Sequence, residues 1–488
     1  MEFTQAETAP PSVVLSIEAQ PTSITVSRPL RTIGCLLASD VLAIVVSLSV
    51  ASFVRSLLLY HWAAQTPRTD LMAVVLLLCS LAAAGLYPGV NINPVEELRR
   101  STYSIALAFF ALWSATFLLH DFSQSRVVYV LAFFLTISLV PVFRASTRKL
   151  FASRHWWGSP VALLGYGITG KYVHETLVKN PGIGLRPVAI LDDDAEKHHP
   201  ADPRITFGPL ENCIEIARSQ RIPYGIVCMP GLSRHDLLNL VDRYGKCFGH
   251  LIVIPNLIGM TSLGISAWEV GGIIGLEVSQ KLLRPSSRLV KRCLDILTTV
   301  ALLPFAAVIV AVFGILIKLE DGGPMFYGDE RIGIGGNKFK AWKLRSMVTN
   351  GDEVLQSYLA ANREEAAHWN ARQKLARDPR ITRIGRFIRK LSIDELPQLW
   401  NVLTGEMSIV GPRPVLEKQV PMYGSSFDLY KQVRPGITGL WQVSGRNHLT
   451  FAERVRLDKY VIQNWSVWLD IYILARTVNV LLTAEGAY

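Results

Sequence analysis

Cysteine is scarce and unpatterned in this chain. The six cysteines (Cys35, Cys79, Cys213, Cys228, Cys247 and Cys293) include no C-x-x-C pair, so neither a disulfide framework nor a thiolate zinc site is indicated. Charge is thin: 18% of the 488 residues are charged and 50% are hydrophobic. A mean hydropathy of +0.28 is high for a soluble enzyme and points to membrane segments. Met1–Val26 lacks the basic start and early apolar core of a signal peptide, and residues 1–30 read as a flexible tail. No stretch interleaves many basic and aromatic residues as a nucleic-acid groove does. The net charge of +11 is therefore assigned to membrane lipid and phosphate, with no nucleic-acid partner. No tyrosine has a lysine four residues later, which weighs against a dehydratase or epimerase that uses a Tyr-x-x-x-Lys pair.

Long apolar runs are plentiful. Four of them, at about residues 33–60, 71–87, 103–119 and 127–143, approach the ~20 residues that a helix needs to cross a bilayer. They predict a four-helix transmembrane domain over residues 31–150. Arg28 and Arg31 precede the first run, Arg99 and Arg100 separate the second from the third, and Arg144, Arg148, Lys149 and Arg154 follow the fourth. The alternate loops carry chiefly Arg68 and Arg126, so both ends of this unit are expected in the cytoplasm. Asp40 and Arg55 lie within the first run without an assigned role.

From Pro160 the texture changes to strand–helix alternation. Val161–Leu164 reads as a buried strand, followed by Gly165-Tyr166-Gly167-Ile168-Thr169-Gly170 and a helical stretch to Lys179. This fits G-x-G-x-x-G in its strand-to-helix context, with Asp192 at the end of the next strand where a ribose-binding acid would stand. A Rossmann-like α/β domain is expected over residues 158–280. Gly165, Gly167 and Gly170 suit either a nucleotide or merely a tight turn with close helix packing.

Lys291-Arg292 opens a fifth apolar stretch, closed by Lys318, with Pro304 near its middle. A proline there removes a backbone hydrogen bond and can break the helix. The residues leave open a kinked spanning helix or a hairpin that returns to the same membrane face. Further on, Arg389-Lys390-Leu391-Ser392-Ile393-Asp394-Glu395-Leu396-Pro397 sets two carboxylates after a basic pair, and Gly411-Pro412-Arg413-Pro414 follows. Adjacent carboxylates among arginines suit reaction at a phosphate anhydride. Ser392 to Glu395 has the form of a capping box, which predicts the acids at a helix N-terminus, with Ser392 or Asp394 as the cap. Ile384, Phe387, Ile388 and Leu391 recur at helical spacing beside Arg383, Arg386, Arg389 and Lys390, as on an interfacial or a core-facing helix. Residues 352–377 read as a polar helical insertion without chemistry.

These runs, with Gly322-Gly323-Pro324, Glu330-Arg331-Ile332-Gly333, Lys340-Ala341-Trp342-Lys343-Leu344-Arg345, Asp378-Pro379-Arg380 and Arg434-Pro435-Gly436-Ile437-Thr438-Gly439 through Arg446-Asn447, closely resemble the bacterial sugar-transferase family, the monotopic polyprenyl-phosphate phosphoglycosyl transferases. The match covers Lys291 to the C-terminus. The four spans and the α/β insert resemble the large form of that family, the undecaprenyl-phosphate galactose phosphotransferases, down to the ending Gly486-Ala487-Tyr488.

The resemblance implies a catalytic domain over residues 285–488 on the cytoplasmic face of a bacterial inner membrane. It makes residues 291–318, with Lys291, Arg292 and Pro304, a re-entrant membrane helix, although Leu303 stands where the family often has serine. It implies that Asp394 attacks the sugar-linked phosphorus of a UDP-sugar, expelling UMP, and that undecaprenyl phosphate then accepts the sugar phosphate. Glu395 helps hold Mg²⁺, and Arg389 and Arg413 contact phosphate. Lys343, Arg345, Arg380 and Arg446 are further phosphate-binding candidates, and Arg331, Arg383 and Arg386 join them for phosphate or lipid. A homodimer is implied. Galactose 1-phosphate is the expected donor moiety, with glucose 1-phosphate as the alternative. A noncatalytic nucleotide-sensing membrane scaffold is the rival from another class. The expected fold is thus a transmembrane α-helical bundle, a Rossmann-like α/β domain and an α/β catalytic domain with a re-entrant hairpin.

Overall fold

The structure, a computed structural model, describes residues 29–59, 67–118, 126–194, 204–255, 265–270, 273–278, 281–362, 365, 375, 378–445 and 449–483. The greater part of the N-terminal tail, Arg446, Gly486–Tyr488 and most of the insertion beyond residue 362 lie outside the described residues. The chain forms two compact units, residues 1–93 with 99–258, and residues 94–98 with 259–488.

In the first unit each apolar run is a helix: α1 (Pro29–Leu59), α2 (Pro67–Ala83), α3 (Pro94–Leu118) and α4 (Arg126–Phe151). By length and composition α1, α3 and α4 can cross a membrane. The 17-residue α2 rises about 25 Å, just short of a ~30 Å hydrocarbon core. Leu77, Leu81, Ile105, Phe109 and Ala132 form the bundle core.

Asp40, fully buried on α1, is held by Arg144 of α4, with Nε to Oδ1 at 2.8 Å and Nη2 to Oδ2 at 2.6 Å. The Tyr87 hydroxyl also donates to Asp40. Arg144, counted by sequence among the cytoplasmic charges, is instead neutralised inside the bundle, because an unpaired carboxylate there would be prohibitively costly.

Five strands follow: β1 (Ser159–Leu164), β2 (Leu185–Leu191), β3 (Thr206–Gly208), β4 (Tyr224–Val227) and β5 (His250–Val253). All pair in parallel, in the order β3-β2-β1-β4-β5, with α5 (Ile168–Lys179), α6 (Cys213–Ser219) and α7 (Arg234–Tyr244) in the connections. This is the order of a doubly wound sheet. Every residue of β1 is buried, which explains its unbroken apolar run. The sheet is not a free-standing domain. Thr32 Oγ1 accepts from Gly158 N (2.8 Å), Ile183 O accepts from Asn91 N (2.8 Å), and Val90 packs into the sheet's core.

The second unit begins with a hairpin of β6 (Ile265–Val270) and β7 (Ile273–Val278). Sequence had given these residues to the sheet domain. Then come α8 (Pro285–Asp321), a second hairpin of β8 (Phe326–Ile332) and β9 (Lys338–Leu344), α9 (Gly351–Ala361), α10 (Arg383–Lys390), α11 (Gln398–Thr404), the parallel pair β10 (Ser408–Val410) and β11 (Gly436–Thr438), α12 (Phe451–Asn464) and α13 (Val467–Thr483).

Pro304 does not interrupt the helix. Helix α8 continues through it for 37 residues, since a proline deletes one bond that a bend can absorb. Lys291, Asp295, Thr299, Ala306, Gly314 and Ile317 make one buried stripe at helical spacing. Leu297, Val300, Phe305, Val308, Val312 and Ile315 are exposed on the other side. Lys291 pairs with Asp470 (2.7 Å), Asp295 Oδ1 accepts from Ser408 Oγ (2.9 Å) and Ile409 N (3.0 Å), and Arg292 donates to Val402 O (2.6 Å) and Leu403 O (3.0 Å). At the far end Asp321 accepts from Arg345 Nη1 (2.7 Å), and Phe313 stacks on Phe387 at 5.7 Å. The helix is therefore tied to the rest of the second unit near both of its ends.

Replacing one member of the buried bundle pair, Asp40→Leu or Arg144→Leu, strands the other's charge and is expected to destabilise the protein by about 3–5 kcal/mol. The double substitution is expected to recover much of that loss. Thermal unfolding of the four proteins in detergent checks this, and additive losses would show that the pair is not coupled.

Candidate functional site

Asp394 does not sit in a capping box. Ser392 takes a left-handed conformation (φ 53°) and makes no side-chain cap bond, and Ile393–Glu395 is a single tight turn between α10 and α11. The run Arg383–Lys390 ends at Leu391, whose backbone N–H donates to Phe387 O at 3.4 Å. Ile388 is fully buried against Ile317 and Leu344, whereas Phe387 stays half exposed. The turn points Asp394 inward, and Asp394 is 8% exposed. Burial is the main force raising its carboxyl, with Glu395 adding to it and Lys343 and Arg389 opposing, for a net value of about 6. Burial of one acid beside another is how a carboxylate is brought towards neutral pH.

Strand β9 supplies the opposing cation. Lys343 Nζ lies 2.9 Å from Glu395 Oε1. Asn401 of α11, itself fully buried, accepts from Trp342 N (3.0 Å) and donates to Lys340 O (2.8 Å) and Glu406 Oε2 (2.7 Å). This clamp fixes β9 against the helix that follows the acidic turn, and so fixes Lys343 against Glu395.

The glycine-proline motifs meet for a steric reason. Gly411 N donates to Thr438 O (2.9 Å) and Gly436 N to Pro412 O (2.8 Å). A Cβ on Gly436 would lie 2.1 Å from Gly411 N, and one on Gly439 would lie 2.4 Å from Gly411 O. Only glycines allow this approach, which delivers Arg413 to the same pocket. Arg413 lies over the Trp441 ring (5.7 Å), whose ring also carries Arg454 (4.6 Å).

Arg331, Lys343, Glu395, Gln398, Arg413 and Gln442 line this pocket. Two of the predicted phosphate contacts, Lys343 and Arg413, are thus brought together with Glu395. Arg389 stands close enough to bias Asp394, and its Nη1 is buried without a hydrogen-bond partner among the described residues. Arg345 and Arg380 are not among the pocket's lining residues. Arg345 is buried against Asp321 and Pro324 O, and Arg380 makes a two-point pair with Asp378 (2.9 and 2.6 Å). Arg446 lies outside the described residues. Gln398 and Gln442 escaped the sequence reading. The signal for Gln398 was its place three residues after Glu395, one helical turn on.

For metal, no group of three or more acidic, His or Cys ligands exists among the described residues. Mg²⁺ commonly binds through one or two carboxylates plus substrate phosphates, and Asp394 beside Glu395 fits that manner of binding.

The glycine loop of the sheet answers mainly to packing. A Cβ on Gly165 (φ +94°) would meet Met229 Cγ at 2.3 Å, and one on Gly170 would meet Gly165 O at 2.2 Å, while Gly167 faces open space. Asp192, the expected ribose acid, accepts from Tyr166 N at 2.6 Å and holds the loop itself.

Comparison with known proteins follows this division. Residues 286–484 match the bacterial sugar transferase family, and residues 82–255 match a family described as a CoA-binding domain. A UDP-galactose-lipid carrier transferase of Erwinia amylovora is 35% identical over 383 residues, 76% of this chain and 78% of that protein. The undecaprenyl-phosphate galactose phosphotransferase of Salmonella typhimurium is 35% identical over 394 residues, 79% of each. A UDP-glucose:undecaprenyl-phosphate glucose-1-phosphate transferase of Escherichia coli is 30% identical over 337 residues, 67% of this chain and 68% of that protein. With identity of this level running through both units and the catalytic motifs converging on one pocket, the chain belongs to the bacterial sugar transferase family.

Proposed function

We propose that this protein transfers galactose 1-phosphate from UDP-galactose to undecaprenyl phosphate, releasing UMP and forming undecaprenyl-diphospho-galactose. The observation that carries the reading is Asp394, a buried carboxylate raised to about 6 and set beside a pocket lined by Lys343, Arg413 and Arg331. Such a group is ionised at neutral pH yet poorly solvated, which suits a nucleophile. An Asp394 oxygen attacks the sugar-linked phosphorus, and the bond to the UMP oxygen breaks. The acceptor phosphate then attacks the same phosphorus and frees the aspartate. Lys343, Arg389 and Arg413 hold phosphate oxygens, with the planar guanidinium groups able to bind two at once. Mg²⁺, held by Glu395 and the donor's own phosphates, would neutralise charge on the departing UMP. The choice of galactose follows the names of the relatives that match most of this chain.

The membrane arrangement belongs to the same reading. Lys291 to Asp321 would extend about 45 Å as a straight helix, more than a bilayer core. Yet charges at both ends are tied into one catalytic body. That supports a helix that enters one leaflet and keeps both ends on one face. The basic residues around the bundle, apart from Arg144, support the cytoplasmic face of the inner membrane.

Incubation with UDP-galactose, Mg²⁺ and undecaprenyl phosphate is expected to release UMP and yield the diphosphate-linked lipid, and no product with UDP-galactose would overturn the donor assignment. Asp394→Asn is expected to lower turnover by about 10³-fold or more. In the wild type kcat/KM for the donor should fall about ten-fold per pH unit below about pH 6, because the folded carboxyl protonates there. The sign for stability is the reverse. A raised carboxyl pKa means that the ionised form disfavours folding above about pH 6, a penalty that is gone below about pH 4. Asp394→Asn is therefore expected to match or exceed the wild-type melting temperature at pH 8, and a lower one would refute the account of its burial.

A further inference from the structure

Where the first turns of α8 meet the segment before β11, four basic side chains, Arg288, Lys291, Arg292 and Arg434, line one cleft with a single acid, Asp295. That acid is occupied. Asp295 Oδ1 accepts from Ser408 Oγ and Ile409 N, and Lys291, 3.9 Å from it, is paired with Asp470 at 2.7 Å. The arginines meet only backbone. Arg292 donates to Val402 O and Leu403 O, Arg434 Nε to Gly405 O (2.7 Å), and Arg288 to Leu282 O and Gln432 O (3.3 Å each). Such bonds cancel no charge, and a guanidinium carries further donors. Capping the end of α11 explains where Arg292 and Arg434 sit, but Arg288 caps nothing on α11 and still joins them. None of the three has an acidic partner among the described residues. Burial presses the pKa of Arg434 downward, the charges of Arg292 and Arg288 add to this, and Asp295 opposes it. The cleft shares no lining residue with the charged pocket beside Asp394.

We infer that this cleft holds the phosphate of an anionic phospholipid head group, as a bound structural lipid and not as a substrate. The space between the side chains, about 30 Å³, takes one small oxyanion and not a nucleotide. Planar guanidinium groups suit the oxygens of a phosphodiester, and an anion among Arg288, Arg292 and Arg434 relieves their mutual repulsion. What adjoins the cleft identifies the source as lipid. Leu289, Ile296 and Val300 fall at helical intervals on α8 and are all exposed, and Ile296 lies one turn beyond Arg292. Acyl chains lie along this apolar face while the head stays among the arginines. A zwitterionic head group brings its own cation to a cleft already rich in positive charge and is held less well. Such a site is separate from the transfer reaction. It needs only that the apolar face of α8 meets lipid, whether the helix returns or spans.

The test titrates the full-length protein, stripped of lipid in an uncharged detergent, with phosphatidylglycerol, with phosphatidylcholine of the same acyl chains, and with inorganic phosphate, and reads the melting temperature and the apparent Kd. Phosphatidylglycerol is expected to raise the melting temperature in a saturable manner, and phosphatidylcholine and inorganic phosphate at equal concentration are expected to do so much less. Arg288→Gln, at an exposed side chain, is expected to weaken the phosphatidylglycerol Kd about five-fold. Arg434→Gln should weaken it at least as much, and because Arg434 also holds Gly405 O, its lipid-free melting temperature is read alongside. Lys418→Gln removes a positive charge from an exposed position outside the cleft and should leave the Kd unchanged. Equal losses in Arg288→Gln and Lys418→Gln would mean adsorption to the surface as a whole and would overturn the cleft. So would a wild-type protein that responds alike to phosphatidylglycerol and phosphatidylcholine. A response to inorganic phosphate as large as that to phosphatidylglycerol would overturn the lipid as occupant.

Discussion

The constraint on which the catalytic unit depends is the attachment of α8, near both of its ends, to one folded body. A 37-residue apolar helix would ordinarily part company with a polar domain at the membrane surface. Here Lys291, Arg292 and Asp295 lock its first turns to the C-terminal end of α11, to β10 and to α13. Asp321 locks its last turn to Arg345 at the end of β9. The same helix therefore presents an exposed apolar face and braces the elements that carry Lys343 and Asp394. The placing of this apolar helix and the geometry of the site are one packing problem in this unit.

Within that frame the site is an electrostatic compromise. Burial works against the ionised form of Asp394, while Lys343 and Arg389 work for it. The result is a carboxylate that is charged at neutral pH but not strongly solvated. The cations around it differ in how firmly they are placed. Lys343 is fixed by its ion pair and by the Asn401 clamp, and Arg413 by Trp441 and the close approach of Gly411 to Gly436. Arg389 keeps a buried donor with no partner among the described residues. Folded structure commonly concedes some stability at such places.

The bundle and the sheet follow another logic. Asp40 and Arg144 are 104 positions apart; alone, Asp40 reads as an anomaly in an apolar run and Arg144 as a charge flanking one. Together they explain one another, and they withdraw Arg144 from the set of charges that orient the bundle. The sheet's glycine loop is similar. Two of its three glycines answer to steric contact and Asp192 closes on the loop, so a motif that fits a dinucleotide by spacing is largely accounted for by packing.

Legibility divided along the range of the interactions. The four apolar helices, the strand–helix alternation, the fifth apolar segment and the acidic pair were all visible in the sequence, because each rests on local composition or on period. The roles of Arg345 and Arg380 were not. A run of arginines looks alike whether the partner is a substrate phosphate or an aspartate folded back from Asp321 or Asp378. The capping box at Ser392 failed because Ser392 takes a left-handed conformation instead of the extended one that a cap needs, and makes no side-chain cap bond. Sequence alone determined which segments are apolar, which groups can carry phosphate chemistry and that they recur in one family's order. Tertiary structure decided which charges neutralise each other and which line one pocket, since pairing depends on distances between residues far apart in the chain.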